Sequence, residues 1–154
     1  MSYVNRAEAK LAIAHLDVVD KALEFGLLKA PGDQPLDILL IAPYKSQVEE
    51  LRRRLAPKAY RRIRVTAMSV DAVQGREADL AIVSLTRSNP QGRLGFLGAD
   101  YWRRINVALS RARFGLTIIG DADFIRGTQG SLKGVLKYME QHPNDCEVRR
   151  VDRD

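Results

Sequence analysis

The sequence predicts an α/β domain in which a mostly parallel sheet is flanked by helices. Three observations carry this reading. Apolar runs are too continuous to leave a wet face, helical apolar spacing separates them, and short breaks of proline, glycine and polar residues lie between. A chain of 154 residues has room for one hydrophobic core, so 1–154 reads as one domain.

The elements follow in order. From Glu8 to about Leu28, the residues Leu11, Ala12, Leu16, Val19, Leu23 and Leu27 recur at helical spacing, and Asn5 is placed to cap that helix. Ala30-Pro31-Gly32-Asp33 breaks the pattern. Leu36 to Ala42 is a strand to be covered on both faces. A helix beginning near Tyr44 puts Val48, Leu51 and Leu55 on one side, and Pro57 ends it. Ile63 to Ala67 and Leu80 to Leu85 are further strands, joined by a polar turn. After a glycine-rich stretch from Ser88 to Gly98, a helix is expected over Tyr101 to Arg113 through Trp102, Ile105, Ala108 and Leu109. Leu116 to Ile119 then supplies another buried strand, and Ser131 to Glu140 a last helix. Such alternation implies right-handed crossovers. No internal repeat or low-complexity tract interrupts it.

The formal net charge of +6 suits solubility, an acidic protein partner or a phosphate-bearing one. Crowding of Arg52, Arg53, Arg54, Lys58, Arg61, Arg62 and Arg64 into one segment favours the last, through backbone contacts indifferent to base sequence. One cysteine, Cys146, and two histidines, His15 and His142, give no metal-ligand spacing, so no protein-held metal is expected. No apolar run reaches membrane-spanning length and the opening residues soon become charged. An intracellular location, nucleus or cytoplasm, is therefore expected, with no membrane partner.

There is no Gly-x-x-x-x-Gly-Lys-Ser/Thr loop to cradle a triphosphate, and no clear Asp-Glu pair at a strand end to hold magnesium and water. A free-standing ATPase is disfavoured. A serine hydrolase is disfavoured too, because no Gly-x-Ser-x-Gly elbow occurs and His15 and His142 lie far apart.

Polar groups gather instead at the C-terminal ends of apolar strands, where ligands collect in open α/β sheets. In Ala42-Pro43-Tyr44-Lys45-Ser46-Gln47 the tyrosine is able to stack on a base; alternatively it packs while Gln47 faces water. Val70-Asp71-Ala72-Val73-Gln74-Gly75-Arg76-Glu77 is a compact turn in which Gly75 permits close backbone approach; alternatively it is a salt-bridged connection. Trp102 to Arg113 places Arg104, Ala108 and Arg111 on neighbouring helical positions. Its arginines suit phosphate through their planar forks, or form a solvated face.

These segments together resemble the C-terminal motor domain of the superfamily 1B helicases related to the nonsense-mediated-decay RNA helicase and senataxin. Ala42 to Gln47 is similar to motif IV, Val70 to Glu77 with its following strand to motif V, and Arg103 to Arg113 to motif VI. Arg87-Ser88-Asn89, Gly92 to Leu97 and the opening Ser2 to Ala9 also match, so the likeness covers almost the whole chain. Ser110 stands where threonine is common, and Val73 where an aromatic residue is frequent.

The resemblance implies the second, C-terminal RecA-like domain of an ATP-dependent RNA or DNA helicase. It implies a nucleotide-binding set of Tyr44, Gly75, Glu77 and Arg111. Tyr44 would stack on adenine, Glu77 would approach the ribose or the nucleotide-metal environment, and Arg111 would be the catalytic arginine finger. Gln74, Gly75 and Arg76 would form a turn coupling nucleotide state to the nucleic-acid track. ATP and Mg2+ would be used in the complete two-domain motor. The implied partners are an N-terminal RecA-like domain carrying Walker A and Walker B motifs, single-stranded RNA or DNA, and a regulatory protein. Tyr44, Glu77 and Arg111 are expected to converge on one rim of the sheet. Two other readings stand beside this one: a noncatalytic nucleic-acid or protein-binding module, and an unrelated α/β structural or regulatory domain.

Overall fold

A computed structural model describes residues 4–73, 75–86, 110–121, 125, 131–149 and 151. The elements are helix α1 (Arg6–Glu24), strand β1 (Leu36–Ala42), helix α2 (Lys45–Leu55), strand β2 (Ile63–Ser69), a 3-10 turn (Val70–Val73), strand β3 (Ala78–Ser84), strand β4 (Ala112–Ile119) and helix α3 (Ser131–Gln141). The strands lie in the order β2-β1-β3-β4 and every pairing is parallel, which bears out the expected α/β class.

β1 is central because its side chains can be buried on both faces. Ile38 and Leu40 join one core with Ala12, Leu16, Val48, Leu51 and Ile82; Leu39 and Ile41 join the other with Val73, Ala81, Val83 and Ile125. This is the period-2 alternation of a pleated strand filled with apolar residues on both sides. Truncating a residue such as Leu40 to alanine would cost about 2–5 kcal/mol.

α1 is shorter than its apolar spacing predicts. It buries Ala9, Ala12, Ile13, Leu16 and Val19 but ends at Glu24. Gly26 takes φ +75°, and the Leu27 amide folds back to donate to the Ala22 carbonyl at 2.8 Å. This glycine-led stop leaves Leu27 outside the helix and 81% exposed. At the other end the predicted cap forms, with Asn5 Oδ1 accepting from the Glu8 amide at 3.0 Å, an arrangement worth about 1 kcal/mol.

β4 also differs from expectation. It begins at Ala112, so Ala112 and Arg113 are extended rather than the end of a helix; residues 101–109 of that predicted helix lie outside the described ones. β4 is an edge strand in the described sheet, and Phe114 and Leu116 are exposed while Ile119 is buried. The expectation of a strand buried from Leu116 to Ile119 therefore holds only at its end. An edge strand lacks the neighbour that would cover its far side.

Candidate functional site

Register decides which predicted site residues can meet. In a parallel sheet all strands start at one edge and finish at the other. Glu77 immediately precedes β3 and Arg111 immediately precedes β4, so both stand at the starting edge. There the Arg111 carbonyl accepts from the Ala78 amide at 3.0 Å, which sets the two turns side by side. The Arg111 guanidinium reaches across the gap: Nη1 donates to the Arg76 carbonyl at 3.2 Å and Nη2 to Ser110 Oγ at 3.0 Å. Glu77 stands next to it with its side chain 62% exposed. Gly75 takes φ +77°, and an added Cβ would meet nothing within 4 Å, so the turn presents open backbone. Gln74 lies outside the described residues.

A row of charges missed by the sequence reading runs beneath these groups, one from each strand. Arg64 of β2 pairs with Asp37 of β1 at 3.5 Å, and the Asp37 amide donates to Asp79 Oδ2 of β3 at 2.9 Å. Arg113 of β4 reaches Asp79 Oδ1 at 3.4 Å and Glu77 at 3.5 Å. Asp37 and Arg64 are register partners, while Asp79 and Arg113 lie where the β3–β4 register shifts between Ala78 and Leu80. In sequence they are scattered singly through four apolar runs.

Tyr44 is at the other edge. Leu40 pairs with Ile82, so the end of β1 lies beside Ser84, six residues beyond Ala78; that separates the two edges by about 20 Å of strand. Tyr44 is the N-cap residue of α2, its carbonyl accepts from the Gln47 and Val48 amides, and its side chain is 3% exposed. The structure thus brings Arg76, Glu77 and Arg111 together and leaves Tyr44 apart. The expected convergence of Tyr44, Glu77 and Arg111 on one rim is not found. The reason is that Glu77 and Arg111 open their strands, whereas Tyr44 follows one.

The finishing edge between β1 and β3 is the point where neighbouring strands lead away to opposite sides, the usual ligand crevice of an open α/β sheet. Here the protein's own polar groups fill it. Gln47, with no exposed surface, accepts from the Asn5 amide at 2.8 Å, donates to the Asn5 carbonyl at 3.0 Å and donates to Ser84 Oγ at 3.1 Å. Ser84 Oγ donates to Glu8 Oε1 at 2.8 Å, which also accepts from the Thr86 amide at 2.9 Å. Asn5 Nδ2 donates to Glu8 Oε2 at 3.0 Å and to the Thr86 carbonyl at 3.2 Å. Gln47 therefore does not face water. The one local signal of this network was Asn5-x-x-Glu8, in which an N-cap side chain and the third helical residue bind reciprocally.

The basic segment is less open than its sequence suggests. Glu50 holds Arg53 and Arg54, with Arg6 at 4.0 Å; Lys58 pairs with Asp17 at 3.0 Å; and Arg52 donates to the Ala67 carbonyl at 2.9 Å. Hydrogen bonding from Arg53, reinforced by Arg54 and opposed by desolvation, holds the Glu50 carboxyl below its ordinary range. Arg61 and Arg62 are exposed. Among the described residues, no group of three His, Cys, Asp or Glu side chains is placed to hold a metal ion, and no helix is long and apolar enough to cross a membrane.

Comparison with known proteins adds ancestry to this geometry. Residues 1–123 match the family described as AAA domain. The chain is 36% identical over 138 residues to the DNA-binding protein SMUBP-2 of Rattus norvegicus, a match covering 90% of the chain and 12% of that protein. It is 39% identical over 116 residues to the DNA replication ATP-dependent helicase/nuclease DNA2 of Bos taurus, covering 75% of the chain and 10% of the relative. It is 37% identical over 153 residues to the regulator of nonsense transcripts 1 homolog of Arabidopsis thaliana, covering 96% and 11%. The chain thus spans only 10% to 12% of the length of these relatives.

Proposed function

The chain belongs to the AAA domain family as a RecA-like domain related to the superfamily 1 helicases, and from that premise we propose that it is the second, C-terminal motor domain of an ATP-dependent RNA or DNA helicase. The observation that carries the proposal is the seating of Arg111 on the Arg76 carbonyl at 3.2 Å, with the exposed Glu77 beside it. It joins the two turns whose sequences resemble motifs V and VI. A single exposed ion pair would carry little weight, but a guanidinium held against the backbone of a glycine-opened turn is a constrained arrangement.

In the complete motor, Arg111 would be the arginine finger that offers its planar fork to a terminal phosphate. Glu77 would approach the ribose or the nucleotide-metal environment. Gly75 allows backbone approach, and Gln74 and Arg76 pass the state of the turn to the nucleic-acid track. ATP with Mg2+ supplies the transferable phosphoryl group. Arg76, Glu77 and Arg111 suit that ligand in charge and hydrogen-bonding chemistry, but they form one wall only. Neither a Gly-x-x-x-x-Gly-Lys-Ser/Thr loop nor a clear Asp-Glu pair at a strand end occurs in this sequence, so both would come from an N-terminal RecA-like partner with Walker A and Walker B motifs. Tyr44, buried at the opposite edge, is assigned to packing at the start of α2 rather than to adenine stacking.

The test is phosphate release by the purified chain, alone and joined to such a partner domain, with and without a single strand. The proposal expects silence from the chain alone and strand-stimulated turnover from the pair. Turnover by the 154-residue chain on its own would overturn it.

A further inference from the structure

The polar network at the finishing edge grips two separate stretches of backbone. Both backbone groups of Asn5 are bound by one side chain, Gln47, at 2.8 and 3.0 Å. Both backbone groups of Thr86 are bound by side chains from the first turn of α1 and its cap: the amide by Glu8 at 2.9 Å and the carbonyl by Asn5 at 3.2 Å. Thr86 has φ +73°, a left-handed conformation that a β-branched residue adopts only when its surroundings impose it. The Ser84 hydroxyl connects the two grips, accepting from Gln47 at 3.1 Å and donating to Glu8 at 2.8 Å. Glu8, Gln47, Ser84 and Thr86 are all buried, so water does not compete freely for these bonds.

We infer that Asn5, Glu8, Gln47 and Ser84 form a latch that makes the direction in which the chain leaves β3 depend on how it enters α1. Glu8 is its positioning residue, because its carboxylate meets Ser84, Thr86 and Asn5 at once and offsets the strain at Thr86. Gln47 anchors the other end. A displacement of the chain at Asn5 reaches Thr86 directly through the Asn5 side chain and also through Gln47, Ser84 and Glu8, and releases Thr86 toward the ordinary extended region. The inference stands on these bonds alone and does not require the helicase reading.

The test is amide hydrogen exchange on the full chain, without nucleotide or nucleic acid, in Glu8→Gln, Gln47→Met and Ser84→Ala variants. Each amide is measured against that of Leu40, which sits in β1 between β2 and β3. The decisive effects are crossed. Gln47→Met should raise exchange at Thr86, which Gln47 does not touch, and Glu8→Gln should raise it at Asn5, whose amide Glu8 does not touch, each by about tenfold or more. Ser84→Ala, the mildest change, should raise both. Crossed effects absent from all three variants, or no larger than the change at Leu40, would overturn the latch, including where a variant loosens the whole domain.

Discussion

Arg111 and Arg76 meet across the starting edge of the sheet, where the guanidinium of one donates to the backbone carbonyl of the other at 3.2 Å. Two like-charged residues come together because the contact is to a carbonyl oxygen. The second arginine is itself exposed, beside the open backbone of Gly75. The arrangement depends on the backbone of the turn as much as on Arg111.

That dependence is open to direct test. Gly75 has φ +77° with no described neighbour near a prospective Cβ, so Gly75→Ala would act through the backbone alone. A cost of about 1–2 kcal/mol is expected in urea unfolding. Gly75→Asn, which tolerates the left-handed region, should cost less. An alanine effect within the roughly 0.5 kcal/mol of an ordinary surface change would contradict the geometry of the turn.

The strands of this fold were legible wherever one local pattern sufficed. Leu36 to Ala42 matches β1 at both ends, because seven successive residues serve two buried faces. The start of β4 was not legible, since Ala112 and Arg113 continue the helical spacing that precedes them, and their pairing with β3 is not written locally. Motifs V and VI were readable as segments, but their shared edge follows from parallel register. Tyr44 stands at the opposite edge because it follows β1, whereas Glu77 and Arg111 precede β3 and β4, a difference that the apolar runs alone do not encode. Apart from the local Asn5–Glu8 pair, the bonds among Asn5, Glu8, Gln47 and Ser84 join residues 37 to 76 positions apart, beyond any spacing rule.

A second expectation concerns pH. Asp17 accepts from Tyr60 at 2.7 Å and from Lys58 at 3.0 Å, tying α1 to the approach to β2. Desolvation pushes the Asp17 carboxyl up, but those bonds and the Lys58 charge outweigh it and leave it below its ordinary range. Burial, then the bond to Asp17, pushes the Tyr60 hydroxyl above its ordinary value. The depressed carboxylate stabilises the fold above an unfolded pKa of about 3.9, and this is lost as pH falls through the lower folded value. The raised phenol stabilises it below about 10, and this is lost as pH climbs through the higher folded value. Asp17→Asn should therefore flatten the acid limb of a stability–pH profile, and the alkaline limb only by the share that Asp17 adds to burial. An unchanged profile would contradict the role of this contact.

A third expectation concerns nucleic acid. Binding of single strands should weaken with salt, with a logarithmic slope of about 0.7 per phosphate contacted. Arg53 and Arg54 are already engaged by Glu50, whereas Arg61 and Arg62 are exposed near the start of β2. Arg61→Ala with Arg62→Ala should reduce the slope more than Arg53→Ala with Arg54→Ala. Equal reductions, or binding insensitive to salt, would remove the electrostatic basis of the track.

The central claim is that Arg111 stabilises the charge developing on a transferred phosphoryl group, and turnover by the assembled two-domain motor tests it most directly. Phosphate release would be compared for the unaltered protein, Arg111→Ala and Arg111→Lys, in the presence of a single strand, with folding of each checked by circular dichroism. Arg111→Ala removes the bond to the Arg76 carbonyl at 3.2 Å from a half-buried position at the sheet edge, so the fold should survive. Turnover should fall by about three orders of magnitude or more. Arg111→Lys should also be impaired, because a point charge does not reproduce the planar fork. Full turnover by a folded Arg111→Ala protein would contradict the account.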